Sequence, residues 1–276
     1  MSELQKRIIV AAIGIPIGII LIYLGGLFFI ITIITISSIA LWEFYKLAEK
    51  RGYPSDWILG LALGTAILTT YYIFNNFGNE TSEEIFYGIV TVYLFSFLLV
   101  PLYLLFNDKK GHYLARIGVV FTGFFYISLP FFCLVLLRDL DNGFYYTILT
   151  FASIWVCDSA AYFIGRKFGK HKLMPSVSPQ KSIEGAIAGF IASSIFFVIL
   201  SNYFIADIPL HLSIVLGIII GIFGQIGDLI ESKFKRDADI KDSSNIIPGH
   251  GGVLDRFDSI IFVVPFVFII LILFNS

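Results

Sequence analysis

Residues 209–274 read PLHLSIVLGIIIGIFGQIGDLIESKFKRDADIKDSSNIIPGHGGVLDRFDSIIFVVPFVFIILILF. Two apolar runs, 209–230 and 257–274, enclose a charged segment, 231–256. Each run is long enough as a helix to cross about 30 Å of hydrocarbon. A chain that leaves a bilayer, gathers its charges in one loop and re-enters is a polytopic α-helical membrane protein.

Seven further runs precede this stretch, at 8–24, 27–47, 57–75, 85–106, 114–137, 144–165 and 183–202, so nine spans are expected in an all-α fold. The boundary between the first two rests on Gly25-Gly26, and the fifth contains Pro130. Proline is tolerated in a membrane helix where neighbours satisfy the freed carbonyl. Alternating strand patterns are absent, which argues against a β-barrel. The opening MSELQKRIIVAAIGIP is similar to a signal peptide, but no small-residue cleavage site follows before spanning length is reached, so a retained first helix is expected.

Composition agrees. The chain is 57% hydrophobic and 14% charged, against about 45–50% and about 25% in soluble domains. A cytosolic enzyme, a disordered chain and a nucleic-acid-binding protein with a basic face are excluded. Cys133 and Cys157 lie in apolar runs and read as small core hydrophobes, with no disulfide or thiolate metal site. With the N-terminus in the cytoplasm, 18 of the 19 basic residues fall on the inner side and Arg138 alone lies outside. The outer loops hold Glu80, Glu83, Glu84, Asp139, Asp141 and Asp207. The two longest loops, 166–182 and 231–256, are both inner. Residues 1–110, four spans with short links, read as a scaffold, and 111–276 as the catalytic membrane region.

The chemistry concentrates at 224–258. Asp228, Glu231, Ser232 and Lys235 share one helical face. Lys241 and Asp242 follow, then Pro248-Gly249-His250-Gly251-Gly252, then Asp255-Arg256-Phe257-Asp258, whose two acids point the same way on a helix. Carboxylates hold a hard cation through oxygen, cations bind phosphates, and glycines let backbone N–H groups approach an anion. Each feature alone has an ordinary reading: positive flanks, a helix cap at Asp255, turn glycines, a solvated His250. Their meeting in one loop is what points to a metal–polyphosphate site. A second group precedes it. Asp158 sits within the sixth span, about 12 Å above Arg166, where an acid marks a functional site. Ser178, Gln180, Lys181 and Ser182 close the next loop, with Ser182 placed to cap the seventh helix and Lys181 to reach a phosphate. Glu43 reads as an interface residue. A P-loop, GxGxxG, HExxH and DGxxAR are all absent from the sequence.

Ser232, Phe234-Lys235-Arg236, Lys241-Asp242, Ser244, Ile247-Pro248, His250-Gly251-Gly252 and Asp255-Arg256-Phe257-Asp258 together resemble the signature of the phosphatidate cytidylyltransferase (CDP-diacylglycerol synthase) family. Asp158-x-x-Ala-Tyr-x-x-Gly and Ser-Pro-x-Lys-Ser-x-Glu-Gly upstream are similar to that family as well. Gln180 departs from it, standing where a basic residue is expected.

The resemblance implies condensation of CTP with phosphatidic acid to CDP-diacylglycerol and pyrophosphate, dependence on Mg²⁺ with room for a second cation, a homodimer, and a polar cavity reachable from the membrane. With the apolar runs and the charge partition, a multi-pass membrane protein is expected whose active site faces the cytoplasm, in the plasma or inner membrane if the source is bacterial. The implied catalytic set is Asp228, Lys241, Asp255, Arg256 and Asp258. Asp228 and Asp255 are the implied metal ligands, with Asp258 as a third ligand or a support behind them. Lys235, Arg236, Lys241 and Arg256 are to neutralise the triphosphate and phosphatidate. His250, Gly251 and Gly252 are to shape the loop around phosphate. Asp158, Ser178, Lys181, Ser232 and Asp242 complete the substrate contacts. A CTP-dependent polyprenol or phytol kinase, and a transporter running ions past Asp158 and Asp228, are the competing readings.

Overall fold

The computed structural model describes residues 3–77, 82–107, 112–206, 208–247, 249 and 251–275. Its helices are α1 (Glu3–Leu24), α2 (Gly26–Arg51), α3 (Trp57–Phe77), α4 (Ser82–Phe106), α5 (Tyr113–Asp139), α6 (Gly143–Phe168), α7 (Ile183–Phe204), α8 (Leu210–Asp237) and α9 (Leu254–Asn275). Eight of these are long and apolar enough to span a membrane, and α1 carries the shorter apolar stretch Ile8–Leu24. The break at Gly25-Gly26 is real: both residues have positive φ, +61° and +49°, a backbone that only glycine adopts without cost.

α5 absorbs its proline by a local change of winding. Phe124–Ser128 form one π turn directly before Leu129-Pro130. The wider turn gives room to the carbonyl that Pro130 would otherwise strike. One element was not expected. Between α6 and α7 the chain forms an antiparallel hairpin of β1 (Lys172–Met174) and β2 (Ser178–Ser182), pairing Lys172 with Ser182 and Met174 with Ser178.

Contacts between helix ends sort into two groups, as alternating spans require. At one end Arg51 meets Asp237 at 3.5 Å, and Arg116 makes a bidentate pair with Asp56 at 2.8 and 3.0 Å. At the other end Tyr71 donates to Asp139 at 2.8 Å. There too Arg138, the single basic residue assigned outside, donates to the carbonyls of Ile22 and Tyr23 and lies over the Phe144 ring. It serves the last carbonyls of α1, which have no partner within the helix.

Lipid is as apolar as leucine, so association rests on close packing. The core runs from Phe29 and Ile33 through Phe124 and Leu134 to Val263 and Leu271, joining both halves of the chain. Small residues set the nearest approaches around the catalytic end. A Cβ on Gly189 of α7 would lie 2.7 Å from the Cys157 carbonyl of α6, and one on Gly227 of α8 would lie 2.7 Å from the Asp258 carbonyl of α9. Gly227 thus seats Asp228 beside Asp258.

Candidate active site

The expected polar face of α8 is present. Ser232 donates to Asp228 at 3.2 Å, and the Lys235 ammonium lies 2.5 Å from the fully buried Glu231. Lys235 also donates to Asp255 at 2.7 Å, so it is held between two carboxylates. α8 ends with Asp239 at φ +54°, its N–H on the Arg236 carbonyl and that of Ile240 on the Lys235 carbonyl. This is a Schellman termination, and it turns the chain back over the helix end.

Glu43 of α2 holds the loop that follows. It is wholly buried and accepts from Ser243 Oγ at 3.1 Å, Ser244 Oγ at 2.5 Å, the Val253 N–H at 3.0 Å and the Leu254 N–H at 2.7 Å. Its charge therefore sits at the start of α9, where the unpaired N–H groups of a helix favour an anion. The expectation of an interface position for Glu43 is corrected. Only glycine fits at 252, because a Cβ there would collide with Ser243 and lie 2.6 Å from the Glu43 carboxylate. Gly251 has φ +82° and closes a tight turn through the Ile247 N–H at 2.9 Å.

Two cavities meet at this end of the bundle. The first, about 330 Å³, has the carboxylates of Asp158, Asp228, Asp242, Asp255 and Asp258 in its wall, with Lys235 and Arg256 as its cations. The second, about 680 Å³, lies under the hairpin and has Arg166, Lys172 and Lys181 in its wall with Ser178, Gln180 and Ser182. Asp158 and Asp228 belong to both. Lys181 pairs with Asp228 at this shared boundary.

The structure thus brings Asp158, Asp228, Lys235, Asp242, Asp255, Arg256 and Asp258 to one cavity and Ser178 and Lys181 to its neighbour. Other expected residues are placed differently. Ser232 orients Asp228. Arg236 donates to the Val177 and Ile240 carbonyls and ties the hairpin turn to the loop. Lys241 stands exposed and lines neither cavity, and Gly251 and Gly252 shape the loop without lining either. His250 lies outside the described residues. Ser182 caps α7 as expected, accepting from the Gly185 N–H at 3.2 Å. Arg166 and Lys172 were not among the expected site residues; spaced around a short hairpin, they carry no pattern of their own.

Among the described residues no three acidic, histidine or cysteine side chains are gathered tightly enough to cage a cation alone. Asp255 is heavily committed: besides Lys235 it accepts from Ser243 N, Ser243 Oγ and Gly252 N at 2.8–3.0 Å. Asp158, Asp228 and Asp258 line the same cavity. Five carboxylates against two cations give an oxygen-donor wall with an excess of negative charge. Such a wall suits a hard cation that completes its shell with water and phosphate oxygens, as Mg²⁺ does.

Residues 5–274 match the model of the cytidylyltransferase family. Over 278 aligned residues, covering all of both proteins, the chain is 33% identical to the phosphatidate cytidylyltransferase of Bacillus subtilis (strain 168). It is 44% identical to that of Staphylococcus saprophyticus over 147 residues, 53% of this chain and 56% of that protein. With that of Staphylococcus haemolyticus it shares 47% over 132 residues, 48% of this chain and 51% of that protein. With the family model matched over residues 5–274 and a full-length relative at 33% identity, the chain belongs to the cytidylyltransferase family.

Proposed function

We propose that the chain transfers the cytidylyl group of CTP to phosphatidic acid, forming CDP-diacylglycerol and releasing pyrophosphate. The observation that carries this reading is the pair of cavities sharing Asp158 and Asp228, one rich in carboxylates and one in cations. The relatives named phosphatidate cytidylyltransferase support the choice of substrates.

The lipid phosphate is already an anionic nucleophile, so no strong base is required. One of its oxygens attacks the α-phosphorus of CTP, the bond from that phosphorus to the bridging oxygen breaks, and the electron pair leaves on pyrophosphate. The chain's tasks are to bring two polyanions together and to offset charge on the leaving group. Lys235, clamped by Glu231 and Asp255, presents a fixed ammonium to the first cavity, and Arg256 adds a guanidinium. Asp255 keeps the loop closed through Ser243 and Gly252. Asp228 and Asp258, with Asp158 in the same cavity wall, would hold Mg²⁺, and the acid excess leaves room for a second cation. Once bound, Mg²⁺ supplies positive charge to the phosphates of CTP and of the leaving pyrophosphate.

The concentration of basic residues at the catalytic end supports a cytoplasmic active site, and the family resemblance supports a homodimer. Detergent-purified protein, phosphatidic acid and CTP labelled at the α-phosphate provide the test. Label entering the lipid phase with equimolar pyrophosphate, and only with Mg²⁺, is the expected result; no transfer under any metal condition would overturn the proposal.

A further inference from the structure

Residues 166–182 carry five basic side chains and no acidic one, whereas 231–256 carries five of each. Three of the five are already engaged: Arg166 and Lys172 stand in the wall of the hairpin cavity, and Lys181 pairs with Asp228. Lys167 and Lys170 are not. Both are exposed and belong to the wall of neither polar cavity. The acid nearby, Glu184, is occupied elsewhere. It accepts from the Lys170 and His171 N–H groups at 3.1 and 3.2 Å, and its Oε1 lies 2.6 Å from His171 Nδ1.

We propose that Lys167 and Lys170, with Phe168 and Met174, form a patch that binds anionic phospholipid headgroups of the surrounding membrane and anchors the hairpin to its surface.

The position of the patch fits that role. Lys167 lies in the last turn of α6, and Phe168 ends both that helix and its apolar span; the next span begins at Ile183. The hairpin between them therefore leaves and re-enters the bilayer at headgroup level. Glu184 stands in the first turn of α7, so its bond to the Lys170 N–H holds that lysine where the chain re-enters. Lysine stems lie along apolar surface and leave the ammonium among the headgroups, where anionic lipid attracts each basic side chain.

The apolar members of the patch decide the partner. Phe168 is 54% and Met174 44% exposed, and the Lys167 ammonium lies 5.2 Å from the centroid of the Phe168 ring. A soluble polyanion would match the lysines but leave Phe168 and Met174 in water. A headgroup layer takes both kinds of side chain, because aromatic and apolar groups enter the interface while basic ones meet its phosphates.

The test needs no transfer reaction. The purified full chain is placed in phosphatidylcholine nanodiscs containing a small fraction of phosphatidylglycerol with a photoreactive headgroup, and the labelled peptides are mapped by mass spectrometry. Label should concentrate on residues 166–174. The same photoreactive group on phosphatidylcholine should label that segment several-fold less. The Lys167→Gln, Lys170→Gln double variant should cut phosphatidylglycerol labelling there about tenfold or more, since each lysine near an anionic surface contributes about fivefold. The double arginine variant, which keeps the charge, should label as the wild type does. If the glutamine pair lowers the yield of folded protein, Lys170→Gln alone is read, with a loss of about fivefold. Equal labelling by the two lipids would overturn the proposal, as would wild-type labelling in the glutamine variant. Displacement of the label by millimolar glycerol phosphate would overturn it too, by making the patch a site for soluble anions.

Discussion

Replacing Glu43 by glutamine isolates one buried carboxylate that reaches the catalytic loop from the other half of the chain. The Val253 N–H points to one carboxylate oxygen and the Leu254 N–H to the other. An amide keeps one acceptor and turns an NH₂ group toward the remaining N–H, leaving a buried donor unpaired at a cost of about 1–3 kcal/mol. Loss of the negative charge at the start of α9 adds about 0.3–1 kcal/mol. The hydroxyls of Ser243 and Ser244 can rotate, so they contribute little. The total, about 1.3–4 kcal/mol, falls on the segment that presents Asp255 and Asp258, and each 1.4 kcal/mol corresponds to about tenfold in the population of the ordered loop. Glu43→Gln should lower turnover roughly 10- to 1000-fold while helix content stays the same. Hydrogen exchange at the Val253 and Leu254 amides should accelerate in parallel. Wild-type turnover together with unchanged exchange at those two amides would refute the reasoning.

Gly227→Ala places a Cβ 2.7 Å from the Asp258 carbonyl and 2.8 Å from Phe262 Cβ. Separation of α8 from α9 should cost about 1–3 kcal/mol and roughly 10- to 100-fold in turnover, and unimpaired transfer would contradict it. Asp258→Asn should abolish label transfer with helical circular dichroism and elution in detergent unchanged; near-normal rates at saturating Mg²⁺ would remove Asp258 from the site. Arg116 is 1% exposed in its bidentate pair with Asp56. Arg116→Met should destabilise the protein by about 3–5 kcal/mol in thermal unfolding, and adding Asp56→Leu should recover part of the loss. No recovery would show that the pair is not the source.

The spanning helices were legible because apolar length is a local property, and so was the break at Gly25-Gly26. The cluster at 224–258 was legible because 12 of the chain's 39 charged residues gather there, between two apolar runs. Glu43 was not. It is a single acid near a helix end, and its partners Ser243, Ser244, Val253 and Leu254 are about two hundred residues away. The hairpin escaped notice because strands as short as Lys172–Met174 and Ser178–Ser182 show no periodicity. Gly251 and Gly252 were expected to cradle phosphate. The structure gives them a nearer reason, a positive φ at one and the Glu43 carboxylate against the other.

The central claim concerns which phosphate of CTP reaches the lipid. CTP carrying distinct labels at its α- and γ-phosphates, incubated with the purified chain, phosphatidic acid and Mg²⁺, answers it in one extraction. The α label should enter the lipid phase while the γ label stays in water as pyrophosphate. Recovery of the γ label in lipid, with CDP left in water, would identify a kinase and contradict the account.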